Sequence, residues 1–380
     1  MKQEQAISLY IHVPFCASKC HYCDFVSEVG NESQVNEYVQ LLSKEVQRYQ
    51  KVISDKKIKT IFFGGGTPSL IPGKKMKEIM KRITGDFSVL PEAEISLEAN
   101  PGQLDREKLF NYRESGINRI SFGLQAIQEP LLKKLGRRHD VEIFARQVTN
   151  AREEGFFNLN VDLIFGIPGQ TITDWSHSLS YIADLGIPHT SCYGLTYEEG
   201  TTLHTMKETQ KIRPVEEEVE WQMFHVAMNE MKKRGYHHYE ISNYCQEGSQ
   251  CKHNITYWKN EEYLGIGIAA HGYLDGVRYG NTETFYDYER IINADGLPVV
   301  VQQKISKEEA MKETMFLGLR MMEGVSNSCF YQRHGVSLFD IFEKEIKELT
   351  YKKLIAVEKD NIKLTNLGID LANQVFLYFV

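Results

Sequence analysis

Residues 10–25 read Tyr10-Ile11-His12-Val13-Pro14-Phe15-Cys16-Ala17-Ser18-Lys19-Cys20-His21-Tyr22-Cys23-Asp24-Phe25. A short apolar strand, predicted over 8–13, runs into a loop with three cysteines in a C-x3-C-x2-C pattern. A [4Fe-4S] cluster ordinarily takes four thiolates. Three in one tight loop, with no fourth nearby, leave one iron without a protein ligand. An open coordination position is where a small molecule binds and reacts. The competing reading is a zinc site completed by His12 or His21, but structural zinc favours paired C-x2-C clusters and no second pair exists. The other cysteines, Cys192, Cys245, Cys251 and Cys329, are scattered and read as small buried hydrophobes.

Working outward, predicted strands at 59–63, 94–98, 119–123, 158–164 and 189–193 are short, rich in Ile, Phe and Leu, and flanked by Gly or Pro. Helical patterns lie between them. One spans 34–53 with Ser33 as N-cap; 105–115, 140–154 and 173–185 each end at a glycine. Six βα units in a row imply a parallel sheet, so the fold class is α/β. Six rather than eight implies a partial (β/α)6 barrel, with ligands at the carboxyl ends of the strands.

After about residue 201 the alternation stops. Residues 214–234 read as one long helix and 236–300 as strands and loops. From 306 a smaller helical region follows, with a hairpin at 354–357 and 362–364 and a helix over 366–376. The expected domains are the barrel, 1–200; an extension, 201–304; and a winged-helix-like module, 305–380.

The chain has 380 residues and a net charge of -7, which argues against a nucleic-acid partner. No apolar run approaches a transmembrane helix, and the start lacks a signal-peptide plan, so a cytoplasmic location is expected. Peripheral membrane contact and a homodimer stay open.

The polar motifs fall at the expected strand ends. Gly64-Gly65-Gly66-Thr67-Pro68 follows the second strand, where glycines let backbone approach a ligand. Glu98 ends the third strand, where a carboxylate accepts from hydroxyl or ammonium groups. Gln125 follows the fourth, with Arg137 twelve residues on. Asp162 sits in an apolar fifth strand and must face something polar, either a ligand or Arg137, because burying it unpaired is costly.

With an aromatic, Tyr22, before its last cysteine, the cysteine loop carries the signature of the radical S-adenosylmethionine (SAM) superfamily. The surrounding Y-I-H-V-P-F-C-x-x-K-C-x-Y-C-D-F resembles the branch that holds oxygen-independent coproporphyrinogen III dehydrogenase and the heme chaperones. The resemblance implies that Cys16, Cys20 and Cys23 hold the cluster and that SAM binds its open iron. An electron from the cluster then breaks the sulfonium S–C bond to give a 5′-deoxyadenosyl radical, and an electron donor is required. It implies further that Gly65, Gly66, Thr67, Glu98, Gln125, Arg137 and Asp162 line the SAM region, with Tyr10 and Tyr22 beside the cluster and adenine.

The chain departs from the dehydrogenase pattern in two ways. The dehydrogenase has a fourth cysteine where this chain has Phe25, and a longer N-terminal segment where this chain has nine residues before Tyr10. His253-Asn254-Ile255-Thr256-Tyr257-Trp258 fits H-N-x-x-Y-W, a motif associated with the heme chaperones. A neutral imidazole is a common axial ligand of heme iron. His253 is therefore a candidate heme-binding residue, with Cys245, Cys251 and His271 as alternatives. The expected function is heme binding and transfer to acceptor proteins of the respiratory chain. Porphyrinogen decarboxylation and another radical SAM reaction remain the alternatives.

Overall fold

A computed structural model describes residues 6–380; the reading of a leaderless start over residues 1–5 lies outside them. β1 (Ala6–Val13), β2 (Lys57–Gly65), β3 (Ser88–Ala99), β4 (Arg119–Gln125), β5 (Asn158–Phe165) and β6 (His189–Gly194) lie side by side in chain order, all parallel. These are the six strands expected. Six more extend the sheet: β7 (His237–Glu240), β8 (Asn243–Cys245), β9 (Tyr263–Ile266), β10 (His271–Leu274), β11 (Val277–Asn281) and β12 (Val299–Lys304). The order is β12-β11-β10-β9-β1-β2-β3-β4-β5-β6-β8-β7. β9 pairs parallel with β1 and so adds a seventh parallel strand that the periodicity did not reveal.

Side chains alternate across each strand. One set, including Ile7, Leu9, Ile11, Ile61, Phe63, Leu97, Ile120, Phe122, Val161 and Leu163, is buried in the main apolar core. The other set faces the hollow of the curved sheet and is largely polar: Tyr10, Glu98, Arg119, Ser121, Asn160, Asp162, His189 and Ser191.

The first helix runs Glu32–Tyr49 and is capped by Asn31, not Ser33. Asn31 accepts from the Gln34 N–H while the Gln34 side chain accepts from the Asn31 N–H, so two orphan donors are satisfied at once. A helix at Gly73–Asp86, absent from the sequence reading, buries Met76, Ile79, Met80 and Ile83. The helix expected over 214–234 is Glu217–Lys233. The stretch 236–300 is not only strands and loops, since it contains helices Lys252–Trp258 and Phe285–Asn293. The former buries only His253 and Thr256, too few positions to show a helical period.

The C-terminal region has its own apolar core around Met315, Phe330, Leu349, Ile362 and Val375. The expected hairpin forms, as Ile355–Glu358 against Asn361–Leu364, and Val325–Ser326 joins it as a third strand. The helix expected over 366–376 breaks at Leu371 into Asn366–Asp370 and Ala372–Phe376.

Candidate metal and cofactor centre

A cavity of about 680 Å³ occupies the hollow of the sheet. Its solvent-exposed lining residues, Lys19, Asp24, Phe25, Tyr193 and Thr196, all lie at the carboxyl ends of strands. Its opposite end is walled by buried Arg119, Asn160, His189, Cys251 and His253.

Cys16, Cys20 and Cys23 line the open end as free thiols. Phe15–Cys16 is fixed by parallel pairing with Glu28–Val29, and Lys19 Nζ ties the loop back to the Phe25 carbonyl at 2.6 Å. The glycine run secures the other side. Gly66 N–H donates to the Val13 carbonyl at 2.8 Å and Thr67 N–H to the Phe15 carbonyl at 2.7 Å. A Cβ on Gly66 would fall 2.6 Å from the Phe15 carbonyl oxygen, and Gly65 has φ +103, so only glycine fits this approach.

Burial raises the Cys20 thiol, opposed by Arg137; burial likewise raises Cys23, opposed by a backbone hydrogen bond at Phe25 and by Lys19. Such cations suit a site for thiolates. The histidines of the zinc reading are engaged elsewhere. His12 Nε2 meets the Val26 carbonyl at 2.9 Å, and His21 Nδ1 the Lys134 carbonyl at 2.9 Å. Among the described residues, no three His, Cys, Asp or Glu are grouped to hold a single metal ion. Three free cysteines around one cavity, with both histidines of the zinc reading bonded to backbone carbonyls, fit a multi-iron cluster.

One hydrogen-bond chain joins the motifs. Arg137 donates to the Tyr22 hydroxyl at 2.5 Å and bonds Asn100 Oδ1; Asn100 Nδ2 donates to Thr67 Oγ1 at 3.1 Å; Thr67 Oγ1 donates to Cys16 Sγ at 3.4 Å. Asn100 was not among the residues expected, although it sits two positions after Glu98 at the same strand end. Gln125 adopts φ +70, a conformation uncommon for a side-chain-bearing residue and typical of functional sites.

Asp162 does not pair with Arg137. It accepts from Ser121 Oγ at 3.1 Å and Asn160 Nδ2 at 2.8 Å, while the guanidinium is held at Tyr22 and Asn100. Burial raises its carboxyl, held back by the Ser191, Asn160 and Ser121 side chains. Glu98 is pushed up to about 8 by burial and by the Asp162 charge, against the Gly65 N–H and Arg119.

The H-N-x-x-Y-W segment is the helix Lys252–Trp258, and it closes the inner end of the cavity. Glu94 accepts the N–H groups of Lys252 and His253, each at 3.2 Å. Both His253 nitrogens are committed: Nδ1 to Thr60 Oγ1 at 2.8 Å and Nε2 to the Tyr257 hydroxyl at 2.9 Å. Its ring stacks on Phe62 with centroids 5.0 Å apart, and burial lowers its pKa to about 3, so it is neutral. As placed, His253 is a wall of the cavity rather than a ready iron ligand. Cys251 also faces the cavity, with Sγ 3.7 Å from Glu94 Oε1. Cys245 instead packs with Tyr239 and Met321, and His271 is exposed on β10. Trp258 turns to the C-terminal region, where Arg320 covers its ring at 4.3 Å.

Residues 10–182 match the radical SAM superfamily, and residues 305–371 match the HemN C-terminal domain. The chain is 38% identical over 374 residues to the heme chaperone HemW of Bacillus subtilis, covering 98% of this chain and 99% of the relative. The chain belongs to the HemW family. The Lactococcus lactis HemW is 34% identical, covering 98% of this chain and 97% of the relative; the Escherichia coli HemW is 36% identical over 70% of each. The fold is also that of coproporphyrinogen III oxidase (HemN) from Escherichia coli, described as a radical SAM enzyme. Its TM-score is 0.86 at 21% identity, over 99% of this chain and 90% of that one. The HemW family and this fold account for the cysteine loop, the parallel-rich sheet and the helical C-terminal region together.

Proposed function

We propose that this protein binds a [4Fe-4S] cluster, SAM and heme, and passes heme to acceptor proteins of the respiratory chain. The observation that carries this reading is the pairing, around one cavity of a HemW-family chain, of three cysteines at the mouth with the H-N-x-x-Y-W helix at the closed end. The cluster falls to Cys16, Cys20 and Cys23. SAM falls to Tyr10, Tyr22, Gly65, Gly66, Thr67, Glu98, Gln125, Arg137 and Asp162. When bound, this pair supplies one-electron reduction of a sulfonium, for which an electron donor is needed.

What the chain's own residues do is orient and hold protons. The Tyr22–Arg137–Asn100–Thr67 chain fixes the mouth, and Glu98 presents a carboxyl at the carboxyl end of β3. The three parts proposed are a barrel over 1–200, an extension over 201–304 and a module over 305–380 that backs Trp258. Among the described residues no helix is long and apolar enough to cross a membrane; we assign the protein to the cytoplasm.

His253 enters as the motif's cavity-facing residue, and iron could reach its Nε2 only by displacing the Tyr257 hydroxyl. The test is a heme titration and transfer assay with anaerobically reconstituted protein, wild type against His253→Ala. Wild type is expected to give a Soret band and to deliver heme to an apo-acceptor. A retained band with impaired transfer in the variant makes His253 a positioning residue; a lost band makes it the ligand. Turnover of coproporphyrinogen III to protoporphyrinogen would overturn the chaperone reading.

A further inference from the structure

Arg119 opens β4 and points into the cavity at the end away from the cysteines. It is 2% exposed, yet its Nε has no partner, and among the described residues no acceptor or ion-pair partner meets its guanidinium. A buried guanidinium without acceptors is costly, so native structures pair it, solvate it or use it. The neighbouring polar groups are already committed. Glu94 accepts from the Lys252 and His253 N–H groups at 3.2 Å. Asp162 accepts from Ser121 and Asn160. His189 is bonded through Nδ1 to Asn160 Oδ1 at 2.5 Å and through Nε2 to the Tyr239 hydroxyl at 2.8 Å. A forked donor therefore faces the cavity with nothing to hold.

We propose that Arg119 is the recognition residue of a second ligand subsite at the closed end of the cavity, taking the carboxylate of a small monoanionic ligand. The planar fork of a guanidinium matches a carboxylate with two parallel hydrogen bonds. Burial works against a charged Arg119, while the Glu94 and Asp162 carboxyls act to keep it protonated. Because those two carboxyls act on the same guanidinium, a monoanion is favoured over a phosphate dianion. The subsite lies deeper than most of the SAM residues and borders them at Asp162. Gln125, at the mouth, stands six residues further along the same strand, about 20 Å at the usual rise. The proposal needs only this cavity and not heme transfer, so the two readings fail independently.

The test uses the full-length, anaerobically reconstituted protein saturated with SAM, which keeps added anions off the open iron. Carboxyl-labelled acetate is the probe, followed by NMR line-broadening and saturation transfer, with inorganic phosphate as the second arm. Acetate is expected to broaden and phosphate to stay sharp. Arg119→Gln should weaken the acetate effect at least tenfold while cluster absorbance and melting temperature are kept, and Arg119→Lys should retain part of it. If Arg119→Gln does not fold, Ser191→Leu, which narrows the cavity it lines and leaves the guanidinium charge, should abolish the broadening instead. No broadening in wild type means that the fork holds water only. Equal broadening in the folded variants, or a preference for phosphate, likewise overturns the proposal.

Discussion

Arg137 donates to the Tyr22 hydroxyl at 2.5 Å and lays its guanidinium 5.7 Å from the centre of the same ring, across 115 residues of chain. The contact pins the middle of the cysteine loop to the segment that follows β4. Arg137→Met removes the donors to both Tyr22 and Asn100 and leaves two polar groups unpaired in a largely enclosed site. Each such loss costs about 1–3 kcal/mol of stability, and with the mouth no longer fixed we expect SAM affinity to fall roughly 10-fold, about 1.4 kcal/mol. The cysteines are untouched, so iron and sulfide content should stay near wild type. Calorimetric SAM titration checks this, and an unchanged affinity would remove Arg137 from the site.

Cys20→Ala leaves two thiolates to hold four irons. We expect loss of the cluster's visible absorbance and EPR signal and of SAM cleavage. The melting temperature of the apo-protein should hardly move, because Cys20 is only partly buried and outside every apolar core. A [4Fe-4S] signal persisting in this variant would break the assignment.

Glu98 titrates at about 8 against an ordinary 4.5. Its folded-state pKa is raised, so it carries a proton at neutral pH and destabilises the apo-fold as pH climbs from about 4.5 to about 8. A cationic ligand favours the carboxylate and pulls that proton off. SAM affinity should therefore rise with pH up to about 8, and binding near pH 7 should release a proton. Glu98→Gln should flatten this dependence. Titration in buffers of different ionisation enthalpy measures the proton directly, and its absence in wild type refutes the coupling.

Much of this architecture is legible in residue order. The six parallel strands announce themselves as short apolar runs, the last three each preceded by a glycine-stopped helix. The cysteine loop, Glu98, Gln125, Arg137 and Asp162 all fall at one cavity because strand ends converge there. What stays hidden is pairing across long separations. Nothing in the order of residues says that Asp162 takes Ser121 and Asn160 while Arg137 takes Tyr22 and Asn100, since the choice depends on where two strand ends meet. Asn31 rather than Ser33 caps the first helix because the reciprocal Gln34 bond decides between adjacent candidates. His253 looks like a free ligand in sequence, and only the fold reveals Thr60 and Tyr257 on its two nitrogens.

The Lys252–Trp258 helix makes the cavity a dead end, with solvent reaching it on the cysteine side. A blind alley has a single doorway, so whatever enters the cavity and whatever leaves it must share the passage beside the cysteine loop.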